Sequence, residues 1–164
     1  MIYLDYRFME VARPIIEHEE YQQMRYLKHH DESVFEHSVK VAFYSYQMAY
    51  KHNLDWKATI RGALLHDFFL YKFKKCFGPR IITDSIKHAI IHPIIAFDNA
   101  SKYFDLNEKE ENIIKGHMFP FGAPKSKEAW IVSYVDKCIA TFEYASNFKK
   151  MTYSKKQKAA YVVE

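Results

Sequence analysis

The feature that most restricts this chain is a pair of ionisable residues, His66 and Asp67, set in the apolar run Ala63-Leu64-Leu65-His66-Asp67-Phe68-Phe69-Leu70. The run reads as helical and buried. An imidazole and a carboxylate are costly in such a place unless something satisfies them. A metal ion is one such partner. Neighbours on a helix point roughly 100° apart. The two side chains therefore reach a common point only from different sides, the carboxylate with one oxygen and the imidazole from its flank.

Four more residues repeat the setting. His37 lies in Val34-Phe35-Glu36-His37-Ser38-Val39, His92 in Ile90-Ile91-His92-Pro93-Ile94, His117 in Ile113-Ile114-Lys115-Gly116-His117-Met118, and Asp136 in Ile131-Val132-Ser133-Tyr134-Val135-Asp136. The order is H…HD…H…H…D, with each segment on a different expected helix or helix end. Helical proteins build metal sites in this way, from inward side chains of several helices. The donors are nitrogen and carboxylate oxygen with no thiolate. That set suits Fe, Mn, Co or Zn, admits Mg, and argues against Cu(I). His88, four residues before His92, is the alternative source of that imidazole.

The bulk composition supports a helical domain. Thirteen Phe and thirteen Tyr stand against four Gly and five Pro. That balance favours a compact helical domain over a turn-rich sheet protein or a disordered chain. At 164 residues the expectation is a single domain over 1–164. Its core spans about 30–146, residues 1–28 pack on it as one or two helices, and 149–164 form a basic tail. The formal net charge of +4 helps to attract a phosphorylated substrate but falls short of a nucleic-acid footprint. Cys76 and Cys138 lie in no CxxC pattern and read as reduced thiols of a cytoplasmic protein. No run approaches the ~20 apolar residues that span a bilayer, and no secretion signal is apparent.

The expected fold is all-α, an irregular bundle of about seven to nine helices around the site. Phe8, Val11, Ile15 and Ile16 mark an opening helix, with Pro14 in a first turn. His29 to Glu32 is a polar break. Ser33 and Glu36 read as a capping box for a central helix, apolar on most sides, that runs to about His52. Asp55 caps a helix over about 56–69 that carries the His-Asp pair near its end. Residues 72–83 read as a loop at the mouth of the site. Thr83 or Asp84 caps a short helix to Ile91, and Pro93 starts a separate one to about Tyr103. Asn107 with Glu110 begins a helix ending near Gly116. Ser126 caps a last helix, roughly 127–148. Glu143 shares a face with Asp136 on it and is expected to form a salt bridge.

In these residues and their order, the chain resembles HD-domain metal-dependent phosphohydrolases, in particular small single-domain bacterial ones. The H…HD…D signature of that superfamily is matched by His37, His66, Asp67 and Asp136, and the two extra histidines resemble its two-metal members. The words GALLHDFFLY, HPIIAFDNA, IIKGHMFP and SYVDKCIATFE carry the likeness over about residues 30–146. The resemblance implies one metal on His37, His66, Asp67 and Asp136, with Asp67 bridging to a second on His92 and His117. It implies one or two divalent ions in all. It also implies cleavage of a phosphate ester or phosphoanhydride of a small molecule, a nucleotide foremost, by a metal-activated water.

Asp67 and Lys72 are the catalytic candidates. Many relatives carry the word HD-x-G-K, whereas Phe68 to Tyr71 intervene before Lys72 in this chain. Arg61, Lys40, Lys115 and Lys137 are candidates to contact a substrate phosphate. Phe69, Tyr71 and Phe119 are candidates to stack on a base. The Gly-Tyr-Pro word of relatives that open cyclic dinucleotides is missing. Two other functions belong to the same pattern: a di-iron oxygenase on this fold, and a non-catalytic module that binds a nucleotide for regulation.

Overall fold

The computed structural model describes residues 5–29, 32–69 and 81–160, with backbone alone for 28–29, 81–85 and 146–160. Lys72, Tyr71 and Cys76 lie outside the described residues. The described chain is all-α, with seven α-helices: α1 (Tyr6–Ile16), α2 (Glu19–Gln22), α3 (Val34–Lys51), α4 (Trp56–Leu65), α5 (Ile81–Tyr103), α6 (Glu108–Gly116) and α7 (Lys127–Ala160). A 3-10 turn over Gln23–Tyr26 follows α2. The polar break expected at His29 to Glu32 is a small antiparallel ribbon, with Lys28 paired to Ser33 and His29 to Glu32.

Local chemistry sets most helix starts. Asp5 accepts from the Phe8 amide to begin α1, and Asp55 accepts from the Ala58 amide to begin α4. Ser33 with Glu36 and Asn107 with Glu110 form complete capping boxes on α3 and α6. Each such cap contributes roughly 1 kcal/mol. Between α3 and α4 the chain reverses at Asn53, whose φ of 54° is a left-handed conformation that Asn tolerates better than most residues. Ser126 accepts from the Ala129 amide at the start of α7.

Four expectations change. Pro14 sits near the end of α1 rather than in a first turn. Tyr44 and Tyr50 of α3 are exposed, so that helix shows one face to solvent. α5 runs unbroken through Pro93. The missing proline N–H removes one ladder bond, but Ala96 and Ala100 beyond it are fully buried in the core. Tertiary packing thus outweighs the local preference for a break. Finally, α7 runs beyond its expected end near 148 to Ala160, so the basic stretch is helical that far.

α4 is the spine of the bundle. It packs against α1, α3, α5, α6 and α7. Ile60, Leu64 and Leu65 of α4 join Phe8, Phe35 and Ile113 in a fully or almost fully buried cluster, each side chain stabilising by roughly 1.5–3 kcal/mol. Tyr21 carries its ring into this core, 5.5 Å from Phe35 and 5.6 Å from Phe68, and its hydroxyl donates to the Leu64 carbonyl at 2.9 Å. Among the described residues no helix is long and apolar enough to cross a membrane.

Gly62 sets the distance between α4 and α6. A Cβ there would lie 2.8 Å from Cβ and Cγ2 of Ile113, which is itself fully buried. Gly62→Val should therefore force α6 away from α4 and cost about 2 kcal/mol. Thermal unfolding followed by circular dichroism should place the midpoint roughly 4–8 °C below the parent.

Candidate metal centre

The His-Asp pair stands just past the end of α4, not within it. Leu65 is the last helical residue and His66 is the C-cap. Past a helix end the last carbonyls lack amide partners. The His66 ring turns back and its Nδ1 meets the Ala63 carbonyl at 2.6 Å. α6 ends the same way: Gly116 is last, His117 is the C-cap, and His117 Nδ1 meets the Ile114 carbonyl at 2.7 Å. His92, inside α5, places Nδ1 2.9 Å from the His88 carbonyl. A carbonyl only accepts, so in all three rings Nδ1 carries the proton. Nε2 then presents either a lone pair or a second proton.

Those three Nε2 atoms and the two carboxylates converge. Asp67 Oδ2 is 3.6 Å from His66 Nε2, while its Oδ1 is 3.3 Å from His92 Nε2 and 3.6 Å from His117 Nε2. Asp136 Oδ1 is 3.1 Å from His37 Nε2 and 3.7 Å from His66 Nε2. One chain of contacts thus links all six predicted side chains, drawn from α3, the ends of α4 and α6, α5 and α7. None is more than 9 % exposed. Two groups, His37/His66/Asp136 and His66/Asp67/His117, hold their donor atoms within 4.8 Å of one another.

The donors fit a cation. His92 Nε2 and His117 Nε2 face each other at 2.8 Å. At that distance one Nε2 donates to the other only if one ring carries a second proton; with both rings neutral the two lone pairs repel, and a cation beside them removes the conflict. His66 Nε2 is fully buried and without a hydrogen-bond partner among the described residues. The two oxygens of Asp67 address different imidazoles, Oδ2 that of His66 and Oδ1 those of His92 and His117. Nitrogen and oxygen donors of this kind could hold a divalent first-row ion.

Residues around the cluster fix it in place. Ser133 Oγ and Lys137 Nζ both donate to the His117 carbonyl, at 2.6 and 2.8 Å. Asn99 donates to the Phe68 carbonyl at 3.1 Å, steadying the chain after the pair. Behind His37, Nδ1 faces Glu143 Oε2 at 3.8 Å and Glu32 Oε1 at 4.0 Å. Sequence reasoning passed over Glu32, Ser133 and Asn99. The spacing of Ser133 and Lys137 around Asp136, one turn apart on one helix, is the one signal that pointed to any of them.

The basic candidates are engaged. Arg61 bonds Glu110 at 2.7 Å and the Asp105 carbonyl at 2.6 Å, tying α4 to α6. Lys115 bonds Glu111 at 2.5 Å and lies over the Phe97 ring. Lys40 is paired with Glu32 and sits 3.7 Å from Glu143. Lys137 shares its three hydrogens between the His117 carbonyl and both Ser133 oxygens. His88 is half-buried and stacks on the His92 ring at 4.7 Å, so it is His92 that reaches Asp67. Phe69 is buried beside His92, and Phe119 is exposed against Trp130.

Burial and charge work against each other here. Burial disfavours the His37 cation, yet Asp136 and Glu143 raise its pKa to about 10. Burial, with His66 nearby, drives His117 down to about 3. Burial opposes ionisation of Asp67 and Asp136, but the imidazoles around them hold both well below the usual carboxylate range. His37, raised above the ordinary value of 6.5, contributes stability that is intact below pH 6.5 and lost as pH climbs to about 10. His117, depressed from 6.5 to about 3, removes stability as pH falls across that interval. The chelator-treated protein should therefore show a thermal midpoint that peaks near pH 6.5 and declines on both sides. A midpoint that rises steadily from pH 6 to 9 would contradict this charge arrangement.

The chain matches the family model described as HD domain over residues 34–141, about two thirds of its length. No curated protein and no solved structure gives a match. The matched span holds all six clustered residues, and the family consists generally of metal-dependent phosphohydrolases. The chain belongs to the HD domain family.

Proposed function

We propose that this protein is a metal-dependent phosphohydrolase that cleaves a phosphate ester or phosphoanhydride in a small molecule, with a nucleotide as the foremost candidate. The reading is carried by one observation: four imidazoles and two carboxylates, all buried, are linked by one continuous chain of contacts that includes two overlapping triads of donor atoms. His37, His66, Asp67 and Asp136 would hold one divalent ion. Asp67 would join His92 and His117 in holding a second. Ions bound there supply Lewis-acid chemistry, activating water at neutral pH and offsetting charge on a phosphate.

The chain's own part is positioning and exclusion. The carbonyls of Ala63, His88 and Ile114 fix the tautomer of three imidazoles, so their Nε2 atoms need no reorganisation when a substrate arrives. The apolar neighbours Leu64, Leu65, Phe68 and Ile114 keep bulk water from the donors and strengthen every charge interaction at the centre. Asp67 is the residue whose loss touches both halves of the cluster. Arg61, held by Glu110 and Asp105, is better assigned to clamping α4 on α6 than to a substrate. The net charge of +4 favours approach of an anionic substrate.

The test is elemental analysis paired with phosphate release from a panel of nucleotides and sugar phosphates, run on the parent and on Asp67→Ala. The parent should retain one or two divalent ions per chain after mild loading and release phosphate from at least one compound. Asp67→Ala should lose bound metal, and its rate should fall by roughly 10²–10³-fold or more. A parent that holds less than one ion per chain, or a variant that matches its parent, would overturn the proposal.

A further inference from the structure

Glu32, Lys40 and Glu143 form a charged group behind His37 for which the proposed reaction supplies no role. The His37 ring stands between two positions of α7. Its Nε2 meets Asp136 Oδ1 at 3.1 Å, and its Nδ1 faces Glu143 Oε2 at 3.8 Å. Asp136 and Glu143 are seven residues apart, close to two turns and about 10.5 Å of rise, so both project from one face of α7 toward α3. A short aspartate and a longer glutamate on that face bracket a single imidazole. Glu32, brought over by the ribbon before α3, stands 4.0 Å from the same Nδ1.

Two carboxylates whose side chains are each 15 % exposed need a counter-charge. Lys40, one turn after His37, supplies it by pairing with Glu32 and standing 3.7 Å from Glu143 Oε1. One ammonium stands against two carboxylates, both of which face Nδ1. The other three imidazoles hold Nδ1 on neutral backbone carbonyls. A carboxylate behind a histidine fixes its tautomer and makes the other nitrogen a stronger donor. His37 is thus the imidazole of the cluster whose donor strength is set by side chains.

We propose that Glu143, held by Lys40 and Glu32, is a positioning residue: it keeps the proton of His37 on Nδ1 and the ring plane aligned, so that Nε2 is presented to a cation. The inference rests on the cation-binding reading above. At 3.8 Å the contact is longer than a hydrogen bond, and a small rotation of the glutamate closes it. With a cation on Nε2 the ring keeps one proton, on Nδ1, and Glu143 is the nearest carboxylate to receive it among the described residues.

The experiment is Zn2+ binding by chelator competition on the parent, Glu143→Ala, Glu143→Gln and Glu143→Asp, with the thermal midpoint of each measured in chelator. Long-range proton–nitrogen NMR of His37 reads the tautomer in the zinc-loaded chains. Glu143→Ala should weaken one binding step by roughly 10–100-fold and leave any second step within about threefold. Glu143→Gln, which keeps an acceptor but loses the charge, should fall between alanine and parent and retain the Nδ1-protonated tautomer. Glu143→Asp should recover part of the loss. Should the alanine variant fail to fold, Glu143→Gln decides by the same comparison of affinities.

Affinities within twofold of the parent in both Ala and Gln variants would overturn this inference alone. An equal loss in every binding step, in proportion to a lowered midpoint, would assign Glu143 a merely structural role and also overturn it. A parent that binds no Zn2+ would remove the cation-binding reading and this inference together.

Discussion

The structure depends on reconciling an apolar interior with six ionisable side chains. The device is a hydrogen bond that serves two ends at once. α4 and α6 each stop one residue before a histidine, and in both cases the ring folds back onto a carbonyl three residues earlier. That contact satisfies a carbonyl the helix end would leave open and aims Nε2 inward. Helix termination and presentation of a donor are one event. The two carboxylates then gather the donors, Asp67 toward His66, His92 and His117, and Asp136 toward His37 and His66. Two buried negative charges among imidazoles call for positive charge nearby, which a proton on His37 or a divalent ion can supply.

The helices are arranged so that this cluster is rigid. α4 touches five other helices, and Gly62 lets α6 approach to the distance at which His117 faces the His-Asp pair. α7 contributes at several successive turns: Ser133 and Lys137 hold the His117 carbonyl, Asp136 enters the cluster, and Glu143 stands behind His37. A donor set assembled from five elements is as precise as the packing between them, so a core substitution that shifts α4 against α6 changes the site as well as the stability.

Much of this was legible in the sequence because it rests on short-range chemistry. The capping pairs Ser33/Glu36 and Asn107/Glu110 and the N-caps Asp5 aside, Asp55 and Ser126 all follow from residue type and spacing. The six clustered residues were legible because ionisable groups in apolar helical runs stand out one by one, and their order matches a family pattern. Other features were not legible. The continuity of α5 past Pro93 is decided by the burial of Ala96 and Ala100, which no local signal encodes. Arg61, Lys40, Lys115 and Lys137 were candidates for phosphate because they lie near ligand positions in sequence. Long flexible cations choose partners in space, and each has found a carboxylate or a carbonyl. Glu32 was hidden in what looked like a polar break, since its approach to His37 depends on how the ribbon folds over α3.

The most direct measurement is anomalous X-ray diffraction from crystals soaked in Mn2+, recorded to locate the ion. The expected result is a peak within coordinating distance of Asp67 and Asp136, with imidazole Nε2 atoms among its ligands. A peak elsewhere on the surface, or an ordered cluster with no peak under saturating Mn2+, would contradict the claim that these six side chains exist to hold a cation.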